Sequence, residues 1–303
     1  LVDAIATYSY VELPSKPIIS IVSGPPVLWK AILPTEVLVG EPFRLSLKGE
    51  DRWGNPSDKG AEKFVLKANI SVLGLPESIR FKKGQFTVIV NNLICSKPTD
   101  LEIELINRIG ESVTCSNPLR ISKSLELRPY WGDLHGQSEE TIGTNSAQDF
   151  FEFARDKAFL DVCCHQGNDF QITNEFWQHL NQLTKKFNVD ESFVTYPGYE
   201  WSGNTGMGGD RNVLFMNEGQ QIHRSSHALI DDLSDQDTDA HTAAELFIKL
   251  KDEDCHIFAH IGGRYADIKM AHDDKLERSV EVHSAWGTFE WLIHDAFEEG
   301  YRV

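Results

Sequence analysis

Between Pro17 and Ile121 the apolar residues fall in short runs that alternate with polar ones: Ile18 to Ser23, Phe43-Arg-Leu-Ser-Leu, Phe64-Val-Leu-Lys-Ala, Phe86-Thr-Val-Ile-Val and Leu101-Glu-Ile-Glu-Leu. A period of two puts the apolar members on one face of a strand. Gly, Pro, Asn and Asp punctuate the runs, as in Trp53-Gly-Asn-Pro. Short strands at that spacing predict an all-β, Ig-like sandwich over residues 1–125. No catalytic constellation falls in this stretch, so its expected role is structural, packing on the second domain or forming a rim of its site.

After Arg128-Pro129 the period changes. Ala147, Phe150, Phe151, Ala154 and Ala158 recur at three and four residues, which predicts a helix over Ser146–Lys157 capped by Asn145 or Ser146. Phe176, Leu180, Leu183 and Phe187 predict a second helix over Asn174–Phe187. Helices are also expected at Thr242–Lys251 and at Phe289–Glu299, where Gly300 stops the last. Strands are expected at Leu160–Cys164, Phe193–Tyr196, Cys255–Ala259 and Ser279–His283, and Tyr301-Arg302-Val303 reads as the opening of another. Strands alternating with helices predict an α/β unit of parallel strands over 126–303.

Charge divides the chain at the same border. Residues 1–125 hold fifteen basic against thirteen acidic side chains, +2, and residues 126–303 fourteen against thirty-three, −19, within a total of −17. A field that negative repels nucleic acid and favours cations. All 11 histidines lie at or after His135. No apolar stretch is long enough to cross a bilayer, so no membrane partner is expected. The start at Leu1 shows no basic region followed by an apolar run, and both ends read as cuts. The five cysteines, Cys95, Cys115, Cys163, Cys164 and Cys255, fit no zinc-ribbon or C-x-x-C spacing and read as free thiols, with a Cys95–Cys115 bridge as the alternative in an oxidising compartment.

The chemistry gathers where apolar runs end: Asp133-Leu-His135-Gly-Gln137, Cys164-His165-Gln-Gly-Asn168-Asp169, Glu200, His260 and His283. In barrels and sheets of parallel strands, residues at the C-terminal ends converge from distant positions. Imidazoles with a carboxylate suit zinc, manganese or iron, so His135, His165, Glu200, His260 and His283 are the candidate metal ligands. His165 and Asp169 are candidates for moving protons. Arg264, Arg211 and Gln137 are candidates for holding a small anionic substrate, the arginines by charge-assisted bonds. The remaining histidines, His179, His223, His227, His241, His256, His272 and His294, read as surface or structural, and Asp231 to Asp239 as a solvated acidic loop. Ser202 lacks a G-x-S-x-G context and no H-E-x-x-H occurs, which excludes the corresponding serine-hydrolase and metalloprotease classes. The Gly203-Asn-Thr-Gly-Met-Gly-Gly209 loop has no Lys-Ser/Thr ending and precedes a strand, which makes it a weak nucleotide motif; it reads as a flexible loop beside the site.

Tyr130-Trp-Gly-Asp-Leu-His135-Gly-Gln-Ser138, Pro197-Gly-Tyr-Glu200-Trp, Gly209-Asp-Arg-Asn-Val, Ala259-His260 and Glu281-Val-His283 together resemble an uncharacterised branch of the PHP superfamily, named for polymerase and histidinol phosphatase, that carries an N-terminal β-sandwich. The resemblance implies a distorted (β/α)7 barrel with two or three divalent ions at its strand ends and hydrolysis of phosphoesters. Two positions depart from the superfamily pattern: Gln137 stands where a second histidine is usual, and Cys164 where an aspartate precedes the histidine. The resemblance also implies an Asp-x-His motif beyond Gly300-Tyr-Arg-Val, so the barrel is expected to be cut short. The expectation is a metal-dependent hydrolase using an activated water. Two rival classes share these residues: a non-catalytic binding protein with a decayed metal site, and an iron redox enzyme.

Overall fold

The computed structural model describes residues 15, 19–262 and 264–301, and the chain divides into two compact units, Leu1–Ser124 and Leu125–Val303. The run from Ile18 begins outside the described residues, and 19–23 form no strand; Arg302 and Val303 also lie outside them.

The first unit contains strands β1 (Leu28–Ile32), β2 (Glu36–Leu38), β3 (Phe43–Glu50), β4 (Lys63–Ala68), β5 (Ser78–Arg80), β6 (Thr87–Leu93), β7 (Thr99–Leu101), β8 (Ile103–Ile106), β9 (Ser112–Cys115) and β10 (Leu119–Ser122). They form three small sheets, ordered β1-β3-β6, β2-β10-β7 and β5-β4-β8-β9. The alternation seen in sequence does the sorting: Phe64 and Leu66 are buried while Val65 and Lys67 point outward. Leu45, Leu47, Phe64, Phe81, Leu93, Leu101 and Leu105 make one apolar core. Trp29 packs on Phe64 and Phe81 with ring centroids 4.6 and 4.8 Å away. Cys95 and Cys115 are both free thiols.

The second unit contains strands β11 (Gly132–Gly136), β12 (Val162–His165), β13 (Val194–Tyr196), β14 (Gly198–Ser202), β15 (Asp210–Phe215), β16 (Cys255–Ala259), β17 (Glu277–Val280), β18 (His283–Ser284) and β19 (Gly287–Thr288). Its helices are α1 (Ala147–Phe153), α2 (Asn174–Phe187), α3 (Ala243–Leu250) and α4 (Trp291–Glu298). Ser146 caps α1 in a reciprocal box with Asp149, and a π-turn over Ala154–Ala158 carries the helix on until Phe159 takes a left-handed conformation. Thr173 caps α2, whose Trp177, Leu180, Leu183 and Phe187 enter the main core.

The sheets overturn the expected (β/α)7 barrel. Strands β11, β12 and β13 are parallel, but β14, β15 and β16 run antiparallel in a separate four-stranded sheet, to which β17 adds in parallel. Only Pro197 separates β13 from β14, and the loop over 203–209 links β14 to β15, so neither step has room for a crossover helix. Four α-helices among the described residues cannot alternate with seven strands. The chain is therefore predominantly β, in several small sheets. The sequence misled because an apolar strand followed by a polar residue looks alike in parallel and antiparallel sheets. No described helix is long and apolar enough to cross a membrane.

Candidate functional site

His135 of β11, Glu200 of β14 and His260 just after β16 come together in the second unit, with one ligand atom from each lying within 4.8 Å of the others. His135 stands near the end of β11, where the pairing with β12 shifts register between Asp133 and Gly136 and the His135 amide donates to Asp133 Oδ1 at 3.0 Å. Gly136 is required beside it, because a Cβ there would lie 2.1 Å from the Phe150 ring of α1. Glu200 is in the middle of β14, opposite Asn212 of β15. His260 follows the last residue of β16.

Each imidazole has a different environment. His135 Nδ1 is 2.8 Å from Glu281 Oε2, and its Nε2 is 3.4 Å from Glu200 Oε2. Burial opposes its protonation, but the two carboxylates outweigh burial and hold its pKa up at about 10. His260 is 2% exposed, and neither ring nitrogen has a hydrogen-bond partner. Its Nε2 approaches Glu200 Oε1 at 3.3 Å, close enough for charge attraction but without hydrogen-bond alignment. Burial works to raise the pKa of Glu200, yet the flanking histidines bring it down to about 2. Gln137 Nε2 donates to Glu200 Oε2 at 3.1 Å, while Thr141 Oγ1 donates to the Gln137 carbonyl oxygen at 2.7 Å. Gln137 thus orients the carboxylate.

These residues floor a cavity of about 670 Å³, whose walls include Asp133, Arg264, Glu281 and His283. Arg264 Nε donates to Asp210 Oδ1 at 2.8 Å, while Asp210 Oδ2 is buried with no partner. Burial, then the charge of Glu200, raises the Asp210 pKa to about 6 against the pull of Arg264. Gly262 is needed for this approach: a Cβ there would stand 2.7 Å from His260 Cε1 and 3.1 Å from Asp210 Oδ2. His283 lines the cavity but falls outside the three-residue cluster.

Three expected site residues serve the fold instead. His165 is buried, with Nε2 2.7 Å from Ser138 Oγ and Nδ1 accepting from the Gly167 amide at 3.2 Å. Burial lowers its pKa to about 4, and its ring nitrogens meet Ser138 and Gly167, outside the cluster of His135, Glu200 and His260. Asp169 is fully buried, accepting from the Ser202 amide at 2.8 Å and from the Ser225 amide. Burial, set against those amides, raises its pKa to about 6, and the side chain is buried away from the cavity lining. Arg211 has no exposed side-chain surface and pairs with Glu277 at 2.5 Å, so it cannot hold a substrate. The acidic loop is less solvated than expected. His227 is buried with Nδ1 2.7 Å from Asp239 and Nε2 3.0 Å from Asp235, and Arg224 pairs with Asp235 at 2.7 Å.

Sequence reading missed Glu281 and Asp210, although both lie in the strings that carry the family resemblance. Glu281 orients His135, and Asn212 Nδ2 holds the same Glu281 oxygen at 3.1 Å. A carboxylate two residues before His283 was visible, but an acidic residue in an acidic domain carries no signal until its partner is known.

The donor set fits a divalent ion. Two imidazoles and a carboxylate suit zinc, manganese or iron. Buried polar atoms are ordinarily hydrogen-bonded, so the unpartnered ring nitrogens of His260 mark a group shaped for something other than a protein donor. The other acidic and histidine cluster, His294, Asp295 and Glu298 on α4, is a surface network neutralised by Lys269, which reaches Asp295 at 2.8 Å and Glu298 at 2.7 Å.

Residues 107–259 match a family described as "Protein of unknown function (DUF3604)". An uncharacterized protein of Chlamydia pneumoniae is 24% identical over 267 residues, covering 85% of this chain and 41% of its own length. An uncharacterized protein of Chlamydia trachomatis matches with the same identity and coverage. The chain thus spans about two fifths of the length of these curated relatives. Among solved structures, one titled "Structure of PhoD" aligns at 10% identity and a TM-score of 0.25, over 61% of this chain and 42% of that one.

Proposed function

We propose, for a chain that belongs to the DUF3604 family of proteins of unknown function, a metal-dependent hydrolase centred on His135, Glu200 and His260. One observation carries this reading. Three ligand atoms from distant parts of the chain converge within 4.8 Å at a cavity, and neither ring nitrogen of buried His260 makes an aligned hydrogen bond to protein.

His135, Glu200 and His260 would hold a divalent ion of manganese, zinc or iron, which supplies activation of a water nucleophile at neutral pH and stabilises negative charge developing on the substrate. Glu281 orients His135 through Nδ1, the way a carboxylate commonly fixes a ligating imidazole, and Asn212 holds Glu281 in turn. Gln137 fixes one oxygen of Glu200 and leaves the other toward His260. Arg264, steadied by Asp210, lines the cavity where an anionic substrate would need a cation. Phosphoester hydrolysis is the finer form of the proposal, supported by the motif strings that resemble the PHP superfamily.

A non-catalytic binding protein is the second reading. It is favoured by Gln137, a neutral amide that meets Glu200 as a donor where a further ligand could stand. Metal analysis of purified protein by plasma mass spectrometry, read beside phosphomonoester and phosphodiester hydrolysis with manganese, zinc and iron, separates the two. The hydrolase reading expects at least one tightly held ion, lost in His260→Leu, together with turnover. Metal without turnover of either ester would favour the binding reading, and absence of metal would overturn the metal centre.

A further inference from the structure

The cavity wall has two features that the metal reading does not use. Around the cluster it is acidic: Asp133, Glu200 and Glu281 line it, against Arg264 as the arginine or lysine among the described lining residues. The same wall carries exposed apolar side chains. Trp286, 68% exposed, stands in the turn between β18 and β19, and Ile142, 62% exposed, lines the same space. Phe170 lines it too, with the Arg264 guanidinium carbon 5.8 Å from its ring centroid.

A small anion alone would leave most of the roughly 670 Å³ to water and the indole without a contact. An indole supplies a large rigid apolar surface that gains most from a planar partner. Three carboxylates outnumber Arg264 and the His135 imidazolium, so the wall keeps a net negative charge that repels an anion unless further positive charge is added. The combination is selective: it accepts negative charge only next to a cation, and rewards a planar apolar group attached to it.

We propose that this cavity takes an anionic ester bearing an aryl group, with the anion between the metal centre and Arg264 and the aryl group against Trp286, Ile142 and Phe170. The inference rests on the reading of His135, Glu200 and His260 as a metal centre. Hydrolysis of such an ester adds water across one bond, so the products are the free acid and the aryl-bearing alcohol. Trp286 is then the specificity-determining residue, and anion binding depends on metal.

The test is calorimetric binding of two non-hydrolysable probes, phenylphosphonate and methylphosphonate, to manganese-loaded and metal-stripped protein. The loaded protein is expected to prefer the phenyl probe by roughly five- to tenfold, the range of an aromatic contact. Trp286→Ala should erase that preference and Trp286→Phe restore most of it, while Arg264→Gln should weaken both probes alike. Stripped protein should bind neither. Equal affinities in the wild type, a preference that survives in Trp286→Ala, or no binding by protein that still holds its metal would overturn the inference and leave the metal centre standing. Protein that retains no metal in the same titration would overturn both.

Discussion

In the β-rich unit of residues 19–124 the buried polar side chains are few: Ser46, Ser57 and Ser116, with Glu50 and Asp51 near one end. The second unit buries Arg211, Arg224, His165, His227, His260, Asp169, Asp210, Asp239, Glu200 and Glu277. Among the described residues, every buried side-chain atom left without a hydrogen-bond partner also belongs to the second unit, at Gln166, Asn168, Gln171, Asp210, Asn212, Asp239, His260 and His272. Burying a polar group unpaired costs roughly 1–3 kcal/mol, so the second unit has accepted a stability penalty that the first avoids. Two of these residues, Asn168 and His260, line one cavity. The contrast is that of a scaffold optimised for packing and a unit whose polar interior is arranged for something besides stability.

The largest test of this contrast is Arg211→Ala. It would strand Glu277, which is also held by the Tyr301 hydroxyl, as an uncompensated buried charge. Breaking such a pair costs about 3–5 kcal/mol. Urea unfolding followed through the second unit should shift by that amount, and a shift under about 1 kcal/mol would mean that the pair is not sealed from water.

His260→Leu sharpens the comparison from the other side. In metal-free protein the leucine removes the imidazole that stands 3.3 Å from the buried Glu200 carboxylate, so bound metal is lost and stability should fall by about 1–3 kcal/mol. An unchanged unfolding midpoint would show that Glu200 does not depend on His260.

The smallest effect belongs to the first unit. Asp51 is covered by its own turn yet close to solvent, and accepts from the amides of Gly24, Trp53 and Asn55 at 2.9, 2.9 and 3.0 Å. The Gly24 amide, helped by the Asn55 and Trp53 contacts against the opposing effect of burial, lowers its pKa from 3.8 to about 2. A depressed folded-state pKa means that this stabilisation is present above pH 3.8 and is lost as pH falls toward about 2. Asp51→Asn should flatten the pH dependence of the first unit's unfolding midpoint in that window, as read by urea titration at pH 5, 3 and 2. An unchanged slope would assign the acid sensitivity to another carboxylate.

Local periodicity was legible to within a few residues. The helix expected over Asn174–Phe187 spans those residues, and the strand expected over Cys255–Ala259 does likewise, because a full apolar face and a clear cap leave few alternatives. The helix expected to end at Lys157 passes into a π-turn after Phe153, a change of hydrogen-bond register that side-chain period does not encode. Strand Ser279–His283 was misplaced: β17 ends at Val280, and His283 starts a separate hairpin.

The sequence by itself determined the short β-strands before residue 125, the amphipathic helices after it, the concentration of histidine and negative charge in the second unit, and His135, Glu200 and His260 as polar residues beside buried strands. Only the tertiary structure decided the direction in which strands pair, and with it the replacement of a barrel by separate small sheets. It also decided which polar residues meet: Glu281 joined the cavity wall and Asp210 met Arg264 behind it, while His165, Asp169 and Arg211 turned into the core. The physical reason is that burial pattern and local propensity are properties of neighbouring residues, whereas strand direction and side-chain partnership depend on contacts such as His135 with Glu281, 146 positions apart.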